Sequence, residues 1–194
     1  MRICIYGASS STLDKIYLSE AEALGRELAA RGHSLVFGGG NDGIMGAVAR
    51  GVSAVGGKIE GIVPKFFDEP GVIYEGCTEV IFTDTMRERK ALMEEHSDAS
   101  IVLPGGLGTF EELFEMLTLK QLGRCDRAIV FLNTNDYYAS LQQLFENSVR
   151  QHFMSAGCLE IYKMAGTPKE AVDCVESYVP QKLGSLKRIS DYHK

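Results

Sequence analysis

Tryptophan is missing from this chain, proline occurs only five times in 194 residues, and the five cysteines stand apart from one another. Cys4, Cys77, Cys125, Cys158 and Cys174 form no Cys-x-x-Cys pair and no Cys/His cluster at zinc spacing. That excludes a zinc module and a disulfide framework. An odd, dispersed count suits buried free thiols in a reducing cytoplasm. Long apolar runs are missing too, and nothing approaches the roughly 18 residues needed to cross a bilayer. Residues 1–6 open directly as a β-rich segment, without the apolar stretch of a secretory signal. Excess positive charge is also absent. At a net charge of -6 the chain is a poor general partner for nucleic acid, although a local basic patch can still hold one phosphate. No Gly-x-x-x-x-Gly-Lys-Ser/Thr segment occurs, so a P-loop is not supported. A cytoplasmic protein is expected, with no membrane or nucleic-acid partner and no metal or cofactor.

What the chain does have is alternation. Hydrophobic residues make up 45 % and charged residues 24 %, enough apolar matter for one substantial core. β-rich runs at residues 2–6, 33–37, 58–63, 79–83, 99–103, 128–132 and 160–164 alternate with helical patterns at 12–31, 44–55, 85–97, 109–122, 136–151 and 167–178. This predicts a single α/β domain over residues 1–180, a Rossmann-like doubly wound parallel sheet of about seven strands, with ligands beyond the strands' C-terminal ends. A polar tail is expected over 181–194. Residues 64–76 are the longest irregular piece and read as a functional loop or lid.

One stretch concentrates chemistry: Pro104-Gly-Gly-Leu-Gly-Thr-Phe-Glu-Glu-Leu-Phe-Glu115. A strand that breaks at Pro-Gly-Gly and restarts as a helix presents backbone N–H groups where an anion is favoured. Glu111, Glu112 and Glu115 follow within two turns. Thr109-Phe-Glu-Glu112 has a plainer reading as a capping box, with Glu112 bonded back to Thr109, or with Glu111 in that place if Gly108 is the cap. Three glutamates exceed what one cap needs, and an arc of carboxylates beside a phosphate nest can grip ribose hydroxyls or activate water. In the helix before it, Met86, Arg89, Lys90 and Met93 share one face. Arg89 and Lys90 either snorkel from a half-buried stripe or point into the site toward phosphate; the position of the helix before the Pro-Gly-Gly strand favours the second. Gly38-x-Gly40-x-x-Gly43 fits a dinucleotide fingerprint, with Glu60 some 20 residues on. It follows the second strand rather than the first, which makes it weak evidence. His33 and His96 have no nucleophile at a motif spacing and read as structural. Phe66, Phe67 and Met45 could wall a base pocket, although apolar residues are core by default.

These segments resemble the Lonely guy (LOG) family of cytokinin riboside 5'-monophosphate phosphoribohydrolases, once described as lysine decarboxylases. The similarity covers nearly the whole chain. Tyr6-Gly-Ala-Ser-Ser10 is similar to the family's N-terminal Gly-Ser-Ser loop, and residues 35–46 to its Gly-Gly-Gly-x-x-Gly-Leu-Met-Gly segment. Met86-Arg-Glu-Arg-Lys90 resembles Met-His-x-Arg-Lys, with Arg87 where His is usual, and Pro104 to Glu112 resembles Pro-Gly-Gly-x-Gly-Thr-x-x-Glu throughout. The resemblance implies hydrolysis of the N-glycosidic bond of a nucleoside 5'-monophosphate to free base and ribose 5-phosphate. It implies Arg89 and Glu112 as the catalytic pair. Lys90, Gly105, Gly106, Leu107, Gly108, Thr109, Glu111 and Thr118 would surround the nucleotide, with Gly39, Gly40, Met45 and Ser9 from the earlier loops. It further implies a homodimer with substrate near the subunit interface. Two other functions fit the same scaffold: a non-enzymatic nucleotide or molybdenum-cofactor carrier, and a pyridoxal-dependent decarboxylase using Lys90.

Overall fold

The computed structural model describes residues 1–180; the tail expected over 181–194 lies outside the described residues. Seven strands occur among them: β1 (Arg2–Tyr6), β2 (Ser34–Phe37), β3 (Ile59–Pro64), β4 (Glu79–Thr83), β5 (Ala99–Val102), β6 (Ala128–Leu132) and β7 (Lys163–Ala165). They alternate, save between β3 and β4, with α1 (Lys15–Ala30), α2 (Gly43–Ala54), α3 (Met86–Glu95), α4 (Leu107–Gln121), α5 (Ala139–Arg150) and α6 (Pro168–Glu176). The strands form one sheet in the order β4-β3-β2-β1-β5-β6-β7, every pair parallel. This is the doubly wound sheet that the alternation predicts.

The strands read as unbroken apolar runs because both faces of a parallel sheet are covered. Successive residues of β1 serve opposite cores. Ile3 and Ile5 pack with α1, α2 and α6. Cys4 and Tyr6 pack on the other face with Met93 of α3, Leu113 of α4 and Phe145 of α5. From β1 the chain steps outward through β2, β3 and β4, then crosses back to lay β5 on the free side of β1. The connections after β1 and β5 therefore leave in opposite directions, which opens a crevice beyond the carboxyl end of β1.

Most boundaries shift from expectation by a residue or two, and four of the shifts bear on the site or the packing. The first helix starts at Lys15 rather than Thr12, because the Thr12 amide donates to the Ser10 hydroxyl at 3.3 Å; such local bonds compete with helix. The helix expected from Asp136 begins at Ala139, since Asn135 and Asp136 have φ of 54° and 55°. The last strand is only Lys163–Ala165. Ile161 and Tyr162, whose β-character suggested an earlier start, are buried ahead of it, with Tyr162 stacked on Phe131 at 4.7 Å. Fourth, α4 starts two residues before Thr109. All five cysteines are free; only Cys4 and Cys158 are buried, so burial of the thiols holds for two. No helix among the described residues is long and apolar enough to cross a membrane.

Candidate active site

A cleft of about 550 Å³ lies over the carboxyl ends of β1, β2 and β5, a volume within the range of small-molecule sites. Loops 7–10 and 38–42 form its floor and one side, the start of α4 another, and Arg89 and Glu112 its inner end. The N-cap of α4 is Gly106, with extended backbone and no side-chain cap. Neither capping box forms. Thr109 sits inside the first turn, and the two glutamates bond to side chains of α3 instead. The first-turn amides of α4 are thus left with no helical acceptor, at the positive end of a 15-residue helix dipole.

Glu112 accepts a hydrogen bond from Arg89 Nη1 at 2.8 Å, and Arg89 Nε donates to the Ile62 carbonyl at 3.3 Å. The two side chains are only 8 % and 10 % exposed. Glycine at residue 38 leaves the guanidinium this place, since a Cβ there would lie 2.0 Å from Arg89 Nη2 and the arginine would have to shift. Burial pushes the Glu112 carboxyl above the ordinary glutamate range, against the opposing pull of Arg89. Beneath the pair, burial drives the Cys4 thiol up to about 12, so it is neutral and no nucleophile.

The two cations of α3 part company. Arg89 faces the cleft, whereas Lys90 turns to α4 and pairs with Glu111 and, at 2.7 Å, with Glu115. Burial pulls the Lys90 amine down, but its bonds to Glu111 and Glu115 prevail and hold it above the ordinary lysine value. Of the residues singled out in the sequence, the cleft brings together Ser9, Gly38, Gly39, Gly40, Met45, Phe67, Met86, Arg89, Gly106, Gly108, Thr109 and Glu112. Lys90, Gly105, Leu107, Glu111 and Thr118 lie outside its lining. Leu107 is 87 % exposed, and the Thr118 hydroxyl is spent on the Phe114 carbonyl at 2.7 Å. Glu60 of the dinucleotide reading bonds to His96, away from the cleft.

Three contributors complete the lining; of these, sequence reasoning passed over Asp42 and named Met86 only for the face it shares with Arg89. Asp42 adds a second, exposed carboxylate at the N-cap of α2, with no side-chain cap bond. Met86 lines the rim. Loop 64–76 supplies Phe67, Val72 and Ile73 as an apolar wall. It is pinned there by the Asn41 amide on the Val72 carbonyl at 2.9 Å and the Tyr74 amide on Gly39 at 2.8 Å. The loop carried two visible signals, its length and the Phe66-Phe67 pair, of which Phe67 reaches the cleft.

A parallel sheet with a crevice at its switch point and a bare helix N-terminus opening into it defines a Rossmann-like α/β protein. The model of a family described as "Possible lysine decarboxylase" matches residues 45–175. A cytokinin riboside 5'-monophosphate phosphoribohydrolase of Arabidopsis thaliana is 41 % identical over 179 residues, covering 92 % of this chain and 83 % of its own length. A second protein of that name and organism is 39 % identical over 188 residues, covering 96 % of this chain and 88 % of its own. The chain belongs to the Lonely guy family. Among solved structures, the molybdenum cofactor binding protein from Rippkaea orientalis is similar with a TM-score of 0.71 and 23 % identity, over 91 % of this chain and 95 % of that one. The molybdenum cofactor carrier protein of Chlamydomonas reinhardtii gives 0.70 and 22 %, over 90 % and 95 %. At such identities the likeness is one of fold.

Proposed function

We propose that the chain hydrolyses the N-glycosidic bond of cytokinin riboside 5'-monophosphates, and of AMP, to free base and ribose 5-phosphate. The observation that carries this is the buried Arg89–Glu112 pair in a cleft that the bare N-terminus of α4, the helix bearing Glu112, also lines. The names of the Arabidopsis relatives support the same reading. With the 5'-phosphate on the α4 amides, remote binding energy orients the ribose. As the C1'–N bond breaks, its electron pair leaves with the base and positive charge develops on the sugar ring. A buried carboxylate stabilises that charge more strongly than water does. Water then adds its oxygen to C1', and a proton passes to the departing base. Of the two adjacent glutamates, Glu112 is the one in the cleft, so it takes this role; Glu111 is occupied by Lys90. Arg89 keeps the Glu112 carboxylate charged in a buried place.

A carrier needs no buried carboxylate against the sugar, so this pair weighs against the carrier reading. The residues also do not fit a pyridoxal phosphate imine. Among the described residues no lysine lines the cleft, and Lys90 is bound to two carboxylates with its amine held protonated. A homodimer is proposed on the exposed apolar side chains Phe114, Leu144 and Phe153 around α4 and α5, testable by light scattering. A cytoplasmic setting is proposed from the odd, dispersed cysteines of the sequence. Ribose 5-phosphate released from a 5'-monophosphate, with none from the unphosphorylated riboside, is the expected result. Tight nucleotide binding without base release would point to a carrier.

A further inference from the structure

We propose that Tyr137 and Tyr138 are positioning residues, which fix the segment leading into α4 so that it offers amide N–H groups rather than carbonyl oxygens to the substrate's phosphate. This deepens the hydrolase reading and rests on it. Three successive carbonyls of that segment each meet a donor within the protein. The Tyr138 hydroxyl donates to Leu103 at 2.7 Å, the Ala8 amide to Pro104 at 3.1 Å, and the Tyr137 hydroxyl to Gly105 at 2.5 Å. The next carbonyl, Gly106, accepts the Phe110 amide at 2.9 Å as the helix begins. No oxygen from residue 103 to 106 is left to turn toward an anion. One that did would set a negative partial charge against phosphate in a partly desolvated cleft, where such a contact is costly.

The turn after β6 aims both phenols. Asn135 and Asp136 adopt left-handed backbone, φ 54° and 55°, a conformation that Asn and Asp tolerate better than other side chains. The Asn133 side-chain oxygen accepts the Tyr138 amide at 2.8 Å, and the Asn133 amide donates to Ala165 of β7 at 2.8 Å. The turn is thereby tied to the sheet. Tyr138 is fully buried, and its ring meets Tyr137 edge-on at 5.0 Å. Burial holds the Tyr138 phenol well above its ordinary range, so its proton stays in place to donate. Neither tyrosine lines the cleft; both act through the backbone of residues 103–105.

The test removes one hydroxyl at a time. Tyr137→Phe and Tyr138→Phe are compared with the wild type by calorimetric binding of ribose 5-phosphate and, separately, of adenine. Steady-state kinetics with AMP and isopentenyladenosine monophosphate run alongside. Tyr137→Phe is expected to weaken ribose 5-phosphate by roughly five- to tenfold, the worth of one such hydrogen bond. Adenine binding should stay within about twofold, and KM should rise by the same factor as the ribose 5-phosphate constant while kcat holds. Unchanged ribose 5-phosphate binding in Tyr137→Phe overturns the proposal, as does an equal loss for adenine. Tyr138 is a core residue and its variant can lose the fold, which thermal melting reports; Tyr137 is 39 % exposed, so its variant decides alone. Wild type that binds ribose 5-phosphate yet releases no base overturns the hydrolase reading, while the binding comparison still judges the tyrosines. Wild type that binds no ribose 5-phosphate overturns both.

Discussion

Two arginines, at opposite ends of the sheet, each gather carboxylates, and they do opposite things. Arg31, just past α1 at the amino end, bonds to Glu27, to Asp173 at 2.6 Å and to Glu176 at 2.8 Å. His33 joins in through Glu176 at 2.8 Å. Arg89, at the carboxyl end, has a single carboxylate and a backbone carbonyl. The first group is open to water, with Asp173 47 % and Glu176 38 % exposed; the second is nearly sealed. Their carboxyls shift in opposite directions. Bonds to Arg31 hold Asp173 below the ordinary range, and bonds to His33 and Arg31 do the same for Glu176. Burial pushes Glu112 above it. Richness in salt bridges therefore belongs to the open amino end here, and a single pair withdrawn from water to the cleft.

The sign of each contribution to stability follows. A depressed carboxyl stabilises the fold above its unfolded pKa, and that stability is lost as pH falls through its folded pKa. A raised carboxyl works the other way: the folded state is favoured while Glu112 is protonated and disfavoured as pH rises through its raised pKa. The amino end gives stability to the neutral protein, and the carboxyl end takes some away.

The contrast breaks first at Glu112. Glu112→Gln should lower kcat by about 10²- to 10⁴-fold in a ribose 5-phosphate release assay, and a variant with full activity would end the assignment. Next, Arg89→Met strands a buried carboxylate and should cost about 3–5 kcal/mol at neutral pH. Urea melts should show a smaller loss in acid, where Glu112 takes up a proton; a loss that ignores pH would mean the pair is not what is broken. Third, the acid limb of kcat/KM should lie above about pH 4.3, the value of an ordinary glutamate. The smallest effect belongs to Arg31→Met, with unchanged kcat and a fall in Tm of no more than about 3 °C that shrinks in salt. A larger fall would make the two arginines alike.

Much of this was legible in the sequence. The alternation of apolar runs and helical patterns specified the sheet, because a parallel strand covered on both faces must be apolar throughout. Pro104 to Glu112, together with Arg89, marked the inner end of the cleft. What was not legible depends on where side chains turn. Arg89 and Lys90 are neighbours in sequence, and helical spacing put them on one face, yet α4 draws Lys90 away with two glutamates. Thr109-x-x-Glu112 has the spacing of a capping box and became something else once α4 began at Leu107. Asp42 came from a segment read only as a weak dinucleotide fingerprint, and in loop 64–76 the length and Phe67 were visible while the places of Val72 and Ile73 were not.

The crossing from β4 to β5 also has a meaning in time. Arg89 and Glu112 are only 23 residues apart, but the cleft they face exists only when β5 pairs with β1, joining Ile3 to Ala99. Contacts of such long sequence separation close loops slowly and govern the folding rate. The first four strands pair only with one another until β5 is added, and the cleft still lacks the start of α4 and Glu112 at that stage. Activity should therefore rise during refolding with the slowest phase that buries β1, not with the earlier gain of helix.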